Sequence, residues 1–88
     1  MLFYSYDEGG RPCMPIGTGY SPHFVVNGTS DYLGVRFLNI PDNVKPNSMY
    51  EQRVALLYAD TVDYSELTTG VDFEIREGGK TVGKGMVM

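Results

Sequence analysis

A strand, a two-glycine turn and a return strand are written into residues 71–88, and this hairpin constrains the architecture more than any other segment. Val71, Phe73 and Ile75 alternate with Asp72, Glu74 and Arg76, the period-2 pattern of a strand with one buried and one wet face. Gly78-Gly79, set between Glu77 and Lys80, supplies two residues able to take positive φ, as a two-residue primed turn requires. The return strand then runs from Lys80 through Val82 to Val87.

The hairpin also contains a partial nucleotide motif. Gly79-Lys80-Thr81 looks like the end of a phosphate-binding loop, but Glu74 stands where that loop needs its first glycine. A phosphate loop leads from a strand into a helix, whose first-turn N–H groups help hold the phosphates. Val82, Gly83, Gly85 and Val87 follow here and read as strand. The segment is therefore a hairpin turn, and no nucleotide binding by this chain alone is expected.

The remaining sequence extends the same pattern. Residues 2–6 read as a first strand that ends at Asp7-Glu8-Gly9-Gly10. Residues 11–20 contain Pro12, Pro15, Gly17 and Gly19 and read as an irregular loop, with Met14 and Ile16 tucked against the body. His23-Phe24-Val25-Val26 is a short strand closed by the turn dipeptide Asn27-Gly28. Asn27-Gly28-Thr29 also meets the glycosylation pattern, but without a secretion signal it reads as a turn. Residues 32–40 alternate loosely and form another strand, stopped at Pro41, and Pro46 keeps the following connection out of a central strand. Residues 52–59 favour helix or strand about equally by propensity, but eight residues are short for a helix and ordinary for a strand. Residues 60–70 are polar and turn-rich. Six short strands with turns rich in Gly, Pro and Asn point to an all-β sandwich or small barrel. Closing the sheet would remove its exposed edges.

At 88 residues, with no repeat or linker composition, the chain reads as a single domain over residues 1–88. A domain this small buries only about 60–65% of its unfolded surface, so a closed sheet or a partner would help it. No stretch has the length of a membrane span, and Met1-Leu-Phe-Tyr-Ser-Tyr-Asp7 lacks a basic start and apolar run, so a cytoplasmic location and no membrane contact are expected. Cys13 is the single cysteine and His23 the single histidine, which excludes an internal disulfide and leaves no usual zinc set. No nucleophile, acid–base pair or cofactor motif stands out, so no catalytic residue, metal or cofactor is expected. The formal charge of −4, with seven dispersed basic residues, disfavours a self-sufficient nucleic-acid binder. Only Arg76, Lys80 and Lys84 gather, and Glu74 and Glu77 offset them.

Phe73-Glu-Ile-Arg-Glu-Gly-Gly-Lys-Thr-Val-Gly-Lys-Gly-Met-Val87 resembles the end of the C-terminal β-barrel, the third domain, of bacterial elongation factor Tu. In the same order, Asp7-Glu-Gly-Gly-Arg11 is similar to that domain's first turn and Gly19-Tyr-Ser-Pro-His-Phe24 to its Gly-Tyr-Arg-Pro-Gln-Phe. Asn43-Val44-Lys45-Pro46 and residues 54–58 agree more loosely, so the resemblance runs from about Leu2 to Val87. It implies a small closed six-stranded antiparallel barrel, Greek-key-like, which agrees with the strand count. It also implies a domain without catalysis of its own, one that contacts the T-stem of aminoacyl-tRNA, packs on a GTPase domain and takes part in binding a nucleotide-exchange factor.

Carried over by position, the resemblance makes Glu77-Gly78 and Lys80 the tRNA-contacting turn, with Arg76 and Lys84 beside it. His23 stands for the family's Gln, Leu33 for a Thr, Ser21 for the Arg of Gly-Tyr-Arg-Pro, and Asn27 takes the place of another Arg. Losing arginines removes charge-assisted donors. The leading expectation is thus a non-catalytic module that binds a protein partner or a second copy of itself, through Met14, Ile16, Met86 and Met88. The alternative is RNA binding, tRNA in particular, through Arg76, Glu77, Gly78, Lys80 and Lys84.

Overall fold

The alternating segments form six antiparallel strands in a computed structural model that describes residues 1–5, 19–42 and 44–88. The strands are β1 (Leu2–Phe3), β2 (His23–Val26), β3 (Leu33–Leu38), β4 (Arg53–Leu56), β5 (Asp72–Glu77) and β6 (Lys80–Met86). The segment open to helix or strand is β4, followed by turns. Neighbours in the sheet run β1-β6-β5-β2-β3-β4. Among the described residues no helix is long and apolar enough to cross a membrane.

The expected closed barrel is found as an open half-barrel, with β1 and β4 as its two edges. Edge strand β1 holds only two residues. The Met1 ammonium donates to the Tyr50 carbonyl at 2.6 Å and the Tyr50 N–H donates back to the Met1 carbonyl at 2.9 Å. With the Asn47 N–H on the Phe3 carbonyl at 2.6 Å, these bonds stitch β1 to residues 47–50, just ahead of β4. From Gln52 to Leu56 the seam stays open, because among the described residues no strand lies on the side of β4 away from β3.

Period-2 alternation decides what the curved sheet encloses. Phe3, Phe24, Val35, Phe37, Val44, Phe73, Ile75 and Val82 form the main buried cluster. Phe24 and Phe73 stack across the β2/β5 ladder with ring centres 4.1 Å apart. A second cluster joins Val26, Leu33 and Tyr64. Tyr64 fastens the turn-rich segment to the sheet: its hydroxyl donates to the Gly34 carbonyl at 2.7 Å and accepts from the Tyr58 N–H at 3.1 Å. Asn27-Gly28 is a turn, with Gly28 at φ +90° and Thr29 bonded back to the Val26 carbonyl.

The terminal hairpin has the expected ladder, with one difference at its turn. Gly78 alone takes a positive φ, +62°, so only the first central position is left-handed, as in a type II′ turn. A register shift between Ile75 and Arg76 places Ile75 opposite Gly83 and Arg76 opposite Thr81. The extra residue on β6 is Val82, which is fully buried.

Candidate functional site

Two surfaces collect the residues singled out in the sequence. The first is the outer face of β5, where charged side chains project because Phe73 and Ile75 turn inward. Arg76 stands opposite His23 across the β2/β5 ladder. Its guanidinium donates twice to Glu74 Oε1, from Nη2 at 2.6 Å and from Nε at 3.2 Å. Nη1 donates to the Tyr32 hydroxyl at 3.0 Å, and Cζ lies 5.6 Å from the centre of that ring. His23 packs against the other part of Tyr32, ring centres 5.6 Å apart. Hydrogen bonds to Glu74 and then to Tyr32 hold the Arg76 pKa above its ordinary value, so the charge is permanent and already partnered.

The offset expected from Glu74 is therefore a direct ion pair. Glu77 is also engaged, since its Oε2 accepts from the Tyr20 hydroxyl at 2.6 Å. Gly78 and Lys80 are exposed at the turn, and Lys84 is exposed farther along β6, opposite Glu74. Arg76 and Glu77 thus already have partners, whereas Lys80 and Lys84 make no ion pair among the described residues. The sequence did not reveal Tyr32 or the His23 stack. Both follow from cross-strand placement, which a local pattern does not encode.

The second surface is the open mouth of the half-barrel. A groove of about 760 Å³ runs between the β4 edge and the end of β6, with Val54 and Leu56 on one side and Met86 and Met88 on the other. Phe24, Phe73, Tyr64 and Leu67 form its floor. Met86 is 55% exposed and Met88 77%. An adjoining hollow of about 770 Å³ shares Met1, Tyr50 and both methionines, and adds Met49, itself 67% exposed. Met86 and Met88, expected from the sequence to contact a protein, line both hollows. Met14 and Ile16 lie outside the described residues, as does Cys13.

Polar groups at the mouth lack partners. The Tyr50 hydroxyl and Gln52 Oε1 are buried and accept or donate no hydrogen bond among the described residues. Burial pushes the Tyr50 phenol up to about 12. Gln52 uses only its amide nitrogen, which donates to the Leu38 and Arg53 carbonyls at 2.6 Å and 2.8 Å. Burial also lowers the Met1 ammonium pKa, partly countered by Glu51. Nothing in this set is a nucleophile with a base beside it, and no cluster of three metal-ligating side chains occurs among the described residues.

The order of strands, the glycine turn and the curved apolar interior agree with a comparison to known families, in which the profile for the elongation factor Tu C-terminal domain matches residues 1–88. The chain belongs to that family. It is 34% identical over 82 residues to the protein named elongation factor Tu, apicoplast, of Plasmodium falciparum, isolate 3D7. That alignment covers 92% of this chain and 19% of the relative, so the chain spans about a fifth of that protein's length. No solved structure matches it. As a member of the elongation factor Tu C-terminal domain family, the chain is a translation-factor domain with an all-β fold of six antiparallel strands.

Proposed function

We propose that this elongation factor Tu C-terminal domain relative is a non-catalytic binding module that acts through contact with another protein. The observation that carries the reading is the exposed apolar set of Leu56, Met86 and Met88 around an open groove, with Met49 in the adjoining hollow. Apolar side chains gathered at one concave site gain free energy when a partner removes them from water, about 25 cal/mol per Å² of apolar area. The charged face favours this reading over RNA: Arg76 is neutralised by Glu74, and the chain carries a net −4. A cytoplasmic location belongs to the same proposal and rests on the sequence alone, the matched relative being named as an apicoplast protein.

The test compares two substitutions in a cross-linking capture from translation extract, analysed by mass spectrometry. Met86→Lys with Met88→Lys should lose a specific partner that Lys80→Glu retains. Loss of the partner in Lys80→Glu alone, with capture kept by the methionine substitutions, would overturn the protein-contact reading. A direct tRNA titration at two salt concentrations addresses the alternative that Lys80 and Lys84 support. Binding in the micromolar range that weakens steeply with salt would move the function to RNA.

A further inference from the structure

The turn that follows β2 carries a chemistry that neither binding surface uses. Asparagine is a thermolabile residue, and it is most open to attack on its own side chain when glycine follows, because no Cβ crowds the glycine nitrogen and its backbone reaches conformations closed to other residues. A fold suppresses that attack where the reacting peptide is held in a hydrogen-bonded ladder or packed away from water. Neither holds at Asn27-Gly28. Both residues are exposed and both lie in the turn.

The hydrogen bonds of this turn lie on either side of the reacting peptide. The Asn27 N–H donates to the Asp72 carbonyl at 3.0 Å, and the Thr29 N–H and hydroxyl both donate to the Val26 carbonyl, at 3.0 and 2.9 Å. The peptide between Asn27 and Gly28 makes no hydrogen bond among the described residues, and neither does the Asn27 side-chain amide. That peptide can rotate while the bonds on both sides hold. Gly28 stands at φ +90°, and a Cβ built on it would meet nothing within 4 Å, so no neighbour resists the movement.

We propose that Asn27 is a self-modifying site, converting to aspartate and isoaspartate within the folded chain. The Gly28 nitrogen gives its proton to water and bonds to Asn27 Cγ. The Cγ–Nδ2 bond breaks, and that nitrogen takes up a proton and leaves as ammonia. A cyclic imide remains. Water then opens the imide at either carbonyl: addition at Cγ gives aspartate, and addition at the backbone carbon gives isoaspartate, with the main chain rerouted through Cβ and Cγ. No oxidation or reduction occurs, and water is the only co-reactant. Either product adds a negative charge to a turn that already borders Asp72 across the ladder and Asp31 along the chain. Isoaspartate also lengthens the main chain by one carbon between the Asp72 bond and the Val26 bonds, which loosens the β2–β3 connection beside Val26 and Leu33 of the second cluster. The site is independent of the protein-contact reading.

The test is ageing of the intact 88-residue chain in mildly alkaline buffer, followed by peptide mapping in a mass spectrometer. Asn27 should gain about one dalton, the exchange of an amide for an acid. Its rate should be at least about tenfold above those of Asn39 and Asn47, which are also exposed but precede Ile40 and Ser48, residues with a Cβ. The folded rate should lie within about tenfold of the rate in urea, because the reacting peptide is not tied into the sheet. An isoaspartate methyltransferase supplied with labelled S-adenosylmethionine should label the aged chain and leave aged Asn27→Gln unlabelled, since the longer side chain does not close the ring readily. A smaller preference for Asn27, a folded rate further below the rate in urea, or equal labelling of Asn27→Gln would each overturn the site.

Discussion

Replacing Gly83 by alanine is expected to loosen β1 from the sheet. Gly83 lies opposite Phe3 in the β1/β6 ladder, and a methyl group there would run into the Leu2 carbonyl oxygen, with Phe3 Cα and Ile75 Cδ1 each 3.1 Å away. Two of these atoms are backbone, and Ile75 is fully buried, so none swings aside cheaply. The strand itself must move. That puts at risk the Tyr4 N–H bond to the Val82 carbonyl, the Asn47 bond to Phe3 and the reciprocal Met1–Tyr50 pair. At about 0.5–1.5 kcal/mol net each, these four bonds contribute about 2–6 kcal/mol. Burial of Phe3 adds about 1.5–3 kcal/mol. Complete release would therefore cost roughly 4–9 kcal/mol, whereas overpacking with the strand in place costs about 1–3 kcal/mol. We expect a loss of about 2–4 kcal/mol, between these limits, measured by urea denaturation. This is a large share of the roughly 4–13 kcal/mol available to a chain of this length. Exchange at the Asn47 and Tyr50 amides should accelerate more than exchange along the β2/β5 ladder. Gly79→Ala is the control, because a Cβ there meets nothing within 4 Å and its effect should stay within about 0.5 kcal/mol. A Gly83→Ala midpoint indistinguishable from that control would refute the claim that β1 is anchored by close backbone approach.

Three further substitutions separate other contributions. Tyr64→Phe removes a buried hydroxyl that serves both Gly34 and Tyr58, and a loss of about 1–3 kcal/mol in urea denaturation is expected; no loss would mean that the strap over the second cluster adds nothing. Tyr50→Phe deletes a buried hydroxyl without a partner, so stability at neutral pH should hold or rise. Because the folded Tyr50 pKa is raised to about 12 from 10.0, the unfolded chain loses that proton first and stability should fall as pH climbs through this window; the phenylalanine variant should lack this component of the fall. Glu66 is raised by desolvation first and then by Asp31, so its ionisation opposes folding above the carboxylate range. Glu66→Gln should raise the thermal midpoint at neutral pH and lose that advantage near pH 3, where the unfolded carboxylates are also largely protonated; an equal effect at both pH values would show that charge is not the cause.

Strand identity was legible because it depends on local alternation. Phe73 and Ile75 against Glu74 and Arg76, or Phe24 among its neighbours, assign faces without knowledge of any partner strand. The ambiguous segment around Val54 resolved as strand for the reason its length suggested. Closure was not legible, since it depends on how far one edge reaches along another. Residues 2–6 read as a strand, yet among the described residues of that stretch only Leu2 and Phe3 join the ladder, and Asn47, read as part of a connection, and Tyr50 carry bonds that hold β1.

The same distinction explains the candidate sites. Arg76 was visible as a basic residue with acidic neighbours, but the strength of its capture by Glu74 and Tyr32 depends on β2, β3 and β5 converging. Lys80, at the tip of the hairpin, keeps the exposure that its turn position implies. The mouth drew only Met86 and Met88 from sequence, whereas Val54, Leu56, Tyr50 and Gln52 joined them through the seam. Those side chains gather at one concave site, so a protein partner that binds there and selects the folded chain would raise its midpoint by mass action.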